Sequence, residues 1–296
     1  EGQPFATGQL MEKTVNGLHR CLEIAKPIYK EKKTKVPIGI ACAIKNTGIG
    51  NGLADTGRVL IKVLADEKIE ILTGFTEMGQ GLFTVLTQCL TEITDIPASQ
   101  MSVKTISLAK TKCGMTTASR GTALDTMAAK KAAQKLAKAL EIKTLKELAG
   151  EEFHGEYISD FTMPPGTDTE NPVTHFAFSY AVQMALLDEQ GKIDKMYAIH
   201  DVGRAINPLA CAGQIEGGVH MGLGHSLSES FPLTNAVPDS LKMRDLQIIS
   251  ARDTPEVEVI LVEEPEEAGG FGSKGIGEIG LVPTAGAVAG ALYQYD

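Results

Sequence analysis

Gly57-Arg-Val-Leu-Ile-Lys-Val-Leu-Ala-Asp-Glu-Lys-Ile-Glu-Ile-Leu-Thr-Gly-Phe-Thr-Glu-Met-Gly-Gln-Gly81 is the stretch on which the fold turns. Residues 57–64 and 69–73 are runs of β-branched and aliphatic residues, and Ala65-Asp-Glu-Lys68 between them supplies polar turn residues, which predicts a hairpin. A Gly-rich turn follows, and residues 81–94 then read as a helix. The same order recurs downstream. Residues 176–187 and 193–200 are strand-like, joined by Asp188-Glu-Gln-Gly191, and a Gly-rich segment leads into a helix over 213–226. The expected fold class is therefore α+β. It consists of two similar lobes of mixed sheets with packed helices, each turning a Gly-rich helix start toward a shared cleft.

Working outward, apolar Leu10, Val15, Leu18, Leu22, Ile24 and Ile28 predict a helix over 8–32, with Pro27 kinking or ending it. Strands are expected at 36–44 and 102–107, an amphipathic helix at 124–140 and a short one at 144–148. Met163-Pro-Pro-Gly-Thr-Asp168 divides the chain. The expected organisation is an N-terminal helical segment at 1–35, a first lobe at 36–162 and a second at 163–296.

The 296 residues are 43% hydrophobic, enough for one large or two ordinary cores. A formal net charge of −9 argues against nucleic-acid binding, which needs a basic surface. The absence of tryptophan and the few aromatics also disfavour base stacking. The five cysteines are widely spaced and form no iron–sulfur or zinc pattern, which suits a reducing, cytoplasmic interior. No apolar run approaches the roughly 20 residues that span a membrane. Both ends look cut, so a piece of a longer polypeptide is expected.

Four glycine- and hydroxyl-rich segments carry chemistry. In Gly269-Gly-Phe-Gly-Ser-Lys-Gly-Ile-Gly-Glu-Ile-Gly280, one carboxylate, Glu278, sits among glycines and aliphatic residues. Desolvation there is expected to raise its pKa toward the range of a general base, and a helix cap near Pro283 is the equal alternative. Gly275, Gly277 and Gly280 spell the dinucleotide fingerprint, but no strand precedes them and the chain stops before a ribose-binding acid. Gly79 and Gly81 flank Gln80 at a helix start, where backbone N–H groups favour anions and the Gln80 amide can both donate and accept. Thr117, Ala118, Ser119, Arg120 and Gly121 precede another helix, and Arg120 adds a fixed positive charge; an ordinary N-cap is the alternative. Asp201, Arg204 and Asn207 are expected to build a satisfied turn before the Gly213–Gly224 run. His200, His220 and His225 fit no metal spacing and read as satisfied structural histidines.

Together, Thr-Glu-Met-Gly-Gln-Gly at 76–81, Thr-Ala-Ser-Arg-Gly-Thr at 117–122, His-Asp-Val-Gly-Arg-Ala-Ile-Asn-Pro at 200–208, Gly-Gln-Ile-Glu-Gly-Gly at 213–218 and Gly-Ile-Gly-Glu at 275–278 resemble the molybdenum hydroxylases. That is the xanthine dehydrogenase and aldehyde oxidase family, and the five motifs occur in its order. The resemblance covers most of the chain from about residue 36 and is to the C-terminal half of the molybdopterin-binding subunit. It implies an oxidoreductase of purine metabolism, nearest to bacterial xanthine and hypoxanthine dehydrogenases. It also implies a molybdopterin cofactor, with a cytosine dinucleotide form as one version. Glu278 matches the family's catalytic glutamate, the base for hydroxylating a carbon beside nitrogen with oxygen from water. Gln80, with Gly79 and Gly81, would stand near the oxo ligand of molybdenum, which has no direct protein ligand here. Thr117, Ala118, Ser119, Arg120, Gly121, Gln214, Gly217, Met221, Gly275 and Gly277 would line the cofactor. Met221 stands where some purine oxidases carry glutamine. The N-terminal molybdenum-binding half, Fe–S centres and FAD would lie on other segments or partner subunits of an oligomer. The alternatives are a nicotinate or aldehyde hydroxylase, a non-catalytic scaffold half, or an unrelated phosphate-binding domain.

Overall fold

The structure, a computed structural model, describes residues 3–10 and 16–296. Its first half builds one four-stranded sheet from β2 (Asp55–Val63), β3 (Ile69–Thr73), β4 (Met101–Thr105) and β5 (Glu152–Ser159) in the order β4-β3-β2-β5. The hairpin β2–β3 is antiparallel, β5 pairs antiparallel with β2, and β4 lies parallel to β3. Helices α2 (Leu82–Thr94) and α3 (Gly121–Leu140) cover this sheet. Val59, Ile61, Val63, Ile69 and Ile71 share a buried core with Leu82, Leu86, Leu90, Leu124 and the alanines of α3.

The second sheet repeats the plan. The hairpin of β6 (Ala177–Leu187) and β7 (Ile193–Asp201) is antiparallel, and β10 (Glu256–Val262) is parallel to β7. The fourth position, antiparallel to β6, is filled by β1 (Ile38–Thr47), giving the order β1-β6-β7-β10. Helices α4 (Pro208–Leu227) and α5 (Thr284–Tyr295) cover one face, through Ala185, Leu187, Met196 and Ala198. Helix α1 (Asn16–Lys32) covers the other, through Val182, Met184, Leu186 and Ile199. The alternation along β6 decides which helix each residue meets.

The lobes are thus equivalent strand for strand, but the second is permuted, since its last strand comes from the start of the chain. Close packing supports the equivalence. A Cβ at Gly155 of β5 would overlap the Ala128 carbonyl of α3, and one at Gly39 of β1 would overlap the Ala287 carbonyl of α5. Each lobe therefore brings a helix onto its edge strand through a glycine.

Several expectations change. The 36–162 and 163–296 boundaries do not follow the sheets, because β1 pairs with β6 through ten residue pairs from Ile38↔Leu186 to Thr47↔Ala177. The sequence order of hairpin, turn and helix is local, whereas strand pairing at long range is not. Of the 8–32 helix, Asn16–Lys32 is observed, Gly8 lies in a bend and Leu10 bridges Pro4, and residues 11–15 lie outside the described residues. Pro27 does not end α1, which continues to Lys32 with Ile28 and Tyr29 beyond the proline packed on the same core. Residues 144–148 form turns, not a helix, and Thr144 binds Glu147 in a local side-chain loop instead. Residues 233–238 form a short hairpin of β8 (Leu233–Thr234) and β9 (Val237–Pro238). Among the described residues no helix is long and apolar enough to cross a membrane.

Candidate functional site

The equivalence of the lobes brings four pre-helix loops together. The residues before α2, α3, α4 and α5 line one cleft of about 330 Å³. Helix N-termini carry partial positive charge, and the first turns of α2, α3 and α4 reach the lining through Leu82, Gly121 and Ala210, which favours an anionic occupant. Thr76 N–H donates to Thr116 Oγ1 at 2.8 Å, tying the first two loops. Arg204 N–H reaches Gly272 O at 2.7 Å and Lys274 N–H reaches Val202 O at 3.0 Å, tying the other two. Asn207 caps α4 by accepting from Ala210 N–H at 2.9 Å and donates to Gln88 on α2 at 3.1 Å, which joins the lobes.

The first loop is organised by Glu77, a residue to which the sequence alone assigned no role. Its Oε1 accepts from Gly79 N–H (2.8 Å) and Gly81 N–H (3.0 Å), and its Oε2 accepts from Phe83 N–H (2.9 Å). Burial works to raise its pKa, but these N–H donors outweigh it and hold the carboxyl below the usual range. The only local signal is an acid two residues before the first of two glycines. Gln80 lines the cleft with its amide tied to its own loop. Its Oε1 accepts from Met78 N–H at 2.5 Å and its Nε2 donates to Thr76 O at 2.7 Å. One Nε2 hydrogen remains, because an amide nitrogen has two.

In the second loop, Ala118 and Ser119 both take left-handed φ, 56° and 50°. For residues with a Cβ this costs roughly 1–2 kcal/mol each. Gly48 N–H secures the turn by donating to Ala118 O at 2.9 Å. The strained turn aims Ser119 at the fourth loop. The fixed positive charge expected of Arg120 is spent inside the protein. It is buried and donates to Asp55 Oδ1 at 2.6 Å and to the carbonyls of Cys113 and Met115. Asp55 lies far away in sequence, so no local pattern could reveal that its charge neutralises Arg120. The exposed cation lining the cleft is Arg204, which has no ion-pair partner among the described residues.

In the fourth loop Glu278 lines the cleft. Ser119 Oγ donates to its Oε2 at 2.6 Å, and Lys45 Nζ from β1 lies 3.0 Å from the same oxygen. The expectation of a raised pKa is corrected. Burial does push it up, but the Ser119 hydroxyl and the Lys45 ammonium outweigh that and hold it below the ordinary value. No side chain caps α5, whose N-cap is Pro283, so the cap alternative fails as well. The loop is pinned behind Glu278. Gly275 N–H donates to Thr47 Oγ1 at 2.9 Å, and Ser179 Oγ donates to Gly275 O at 2.6 Å. Gln183 Nε2 donates to Gly280 O at 2.6 Å, and Gln183 Oε1 accepts from Thr284 Oγ1 at 2.8 Å. Lys274 is fully buried and pairs with Asp201 Oδ2 at 2.6 Å. Asp201 thus serves this pair, Gly203 N–H of its own turn and Glu264 N–H, with no side-chain bond to Arg204 or Asn207 among the described residues. Burial raises its pKa, and Lys274 opposes that.

Of the expected cofactor residues, Gln80, Thr117, Ala118, Ser119, Arg120, Gly121, Gln214, Gly275 and Gly277 line the cleft with Glu278. Gly79 and Gly81 flank Gln80 but are not in the lining, nor are Gly217 and Met221, the latter 57% exposed. Asn207 and Cys211 join the lining from α4. His220 bonds Thr254 through Nδ1 at 2.7 Å. His200 is buried and pushed down to about 3 by burial. It sits 3.1 Å from Gln183 through Nε2, but its Nδ1 has no hydrogen-bond partner among the described residues, so it is structural without being fully satisfied. No cluster of metal-ligating side chains occurs among the described residues.

Residues 20–255 match the model of the molybdopterin cofactor-binding domain. The chain belongs to this domain family of the molybdenum hydroxylases. It is 29% identical to a probable xanthine dehydrogenase subunit of Bacillus subtilis, over 86% of this chain and 39% of that protein. It is 28% identical to the 6-hydroxypseudooxynicotine dehydrogenase complex subunit gamma of Paenarthrobacter nicotinovorans, over 87% of this chain and 37% of that one. The chain thus spans about two-fifths of both relatives. Its fold is similar to part of the aldehyde oxidoreductase of Desulfovibrio desulfuricans, with a TM-score of 0.80 at 20% identity, covering 97% of this chain and 34% of that structure.

Proposed function

We propose that this chain is the part of a molybdenum hydroxylase subunit that holds the pterin cofactor and supplies the catalytic base. The observation that carries the reading is Glu278. It stands in the cleft with Oε2 bonded and Oε1 without a hydrogen-bond partner among the described residues. The cleft fits an anionic, polar group. The starts of α2, α3 and α4 reach it, Arg204 adds a cation with no ion-pair partner among the described residues, and the spare Gln80 amide hydrogen offers a donor to an oxygen ligand. Gln80, the backbone of residues 117–121, Gln214 and Gly275 would hold the cofactor. When bound, the molybdenum cofactor supplies the oxidising centre that takes up the two electrons. Glu278 takes a proton at Oε1 as oxygen from water reaches the substrate carbon. Its depressed pKa keeps it ionised near neutral pH, the state that a base requires.

The proposed substrate is an N-heterocycle, xanthine or hypoxanthine first, on the strength of the Bacillus relative. The Paenarthrobacter relative, equally similar, keeps another substrate class as the second reading. An N-terminal molybdenum-binding half, Fe–S and FAD partners and a cytosine dinucleotide tail on the cofactor complete the proposal. Five free thiols suit a reducing compartment such as the cytoplasm. The test is metal and pterin analysis of the complete subunit with its partners, followed by turnover of xanthine, hypoxanthine, nicotinate and an aldehyde. Bound molybdenum with purine turnover is expected. Molybdenum with turnover of another substrate alone would move the substrate assignment, and a preparation that takes up no molybdenum would overturn the cofactor reading.

A further inference from the structure

We infer that Lys45 is a positioning residue that, with Ser119, anchors Glu278 Oε2 and so leaves Oε1 as the oxygen presented to the cleft. The inference rests on the reading of Glu278 as the base. Both anchors fall on the same oxygen, Ser119 Oγ at 2.6 Å and Lys45 Nζ at 3.0 Å. The ammonium is itself fixed, donating to Asn46 O at 2.9 Å and approaching Asn46 Oδ1 at 3.4 Å. Its side chain is only 20% exposed, against 45% for Glu278, so the pair is partly shielded from water.

The topology explains why β1 does this. Residues two apart on a strand share a face. Lys45 meets the Glu278 carboxylate, and Thr47 accepts from Gly275 N–H at the base of the same loop. The edge strand that completes the second lobe thus delivers two anchors to the loop that carries the base. The other cations lining the cleft do not compete. Arg120 is paired with Asp55, Lys274 with Asp201, and Arg204 makes no ion pair to Glu278 among the described residues. A carboxylate held through one oxygen cannot rotate freely, which fixes the direction from which a proton arrives.

The test reads the carboxyl directly. In the 296-residue chain labelled with [13Cδ]glutamate, the Glu278 resonance is assigned by its loss in Glu278→Gln. Wild type titrates below the ordinary glutamate range. Lys45→Met raises the proton affinity of Glu278 about tenfold, the low end for a neighbouring opposite charge in a half-exposed site. Lys45→Arg keeps the wild-type titration. Lys45→Gln, which keeps a donor without charge, shows the same rise and serves should the methionine variant lose its fold. In the assembled enzyme the acid limb of kcat/KM moves to higher pH in the same variants. An unchanged Glu278 titration in Lys45→Met and Lys45→Gln would overturn the inference. Normal turnover in Glu278→Gln would instead remove the base reading and leave the anchoring measurement standing.

Discussion

Glu278 owes its state to groups that no local pattern links to it. Its own setting among glycines suggested a poorly solvated acid with a raised pKa, whereas Ser119 and Lys45 reverse the direction. The placement of residues near a helix start was legible, since Gln80, Ser119 and Gln214 all line the cleft. Residues whose role depends on a distant charge were not: Arg120 is consumed by Asp55, and Lys45 lies on another strand. Two variants follow at this scale. A Cβ at Gly275 would overlap the Ser119 carbonyl, so Gly275→Ala should cost about 1–3 kcal/mol, read as a lowered Tm, and displace the Glu278 loop. Lys274→Met leaves Asp201 charged and buried and should cost about 3–5 kcal/mol in denaturant unfolding, whereas Asp201→Asn combined with Lys274→Met should recover much of that.

Helix α3 and strand β3 meet through one buried group that makes stability depend on pH. Asp125, in the first turns of α3, is bonded by Thr73 Oγ1 at the end of β3, while its other oxygen makes no hydrogen bond among the described residues. Burial raises its pKa from 3.8 to about 7, with the Thr73 bond opposing. The folded state therefore binds this proton more tightly than the unfolded state. The stability it contributes is complete below the ordinary value and is lost as pH rises toward about 7, by up to about 1.4 kcal/mol per pH unit. Urea unfolding at several pH values should show that decline, and Asp125→Asn should flatten it. The elements themselves were mostly legible: both hairpins and helices α2, α3 and α4 follow turn residues and periodicity. Strands β5 and β10 were missed. They pair with partners far along the chain, and nothing beside them marks a turn into a hairpin.

At the scale of the whole molecule, the permuted second lobe is what no sequence pattern could announce. The repeated order of hairpin, turn and helix showed two lobes, but the strand that closes the second precedes the first. A segment restricted to 163–296 would leave the β6 edge unpaired and lose both Lys45 and Thr47. It should be protease-sensitive, with weak secondary structure by circular dichroism, and adding residues 36–48 should restore protection. That pairing also holds Lys45 and Thr47 against the Glu278 loop, so fold and site depend on the same strand. The most direct test of the account is turnover by the assembled, molybdenum-loaded enzyme carrying Glu278→Gln. Retained molybdenum with substrate oxidation reduced by at least about 100-fold, the scale of a lost general base, is the predicted result; near-normal turnover with full metal would contradict it.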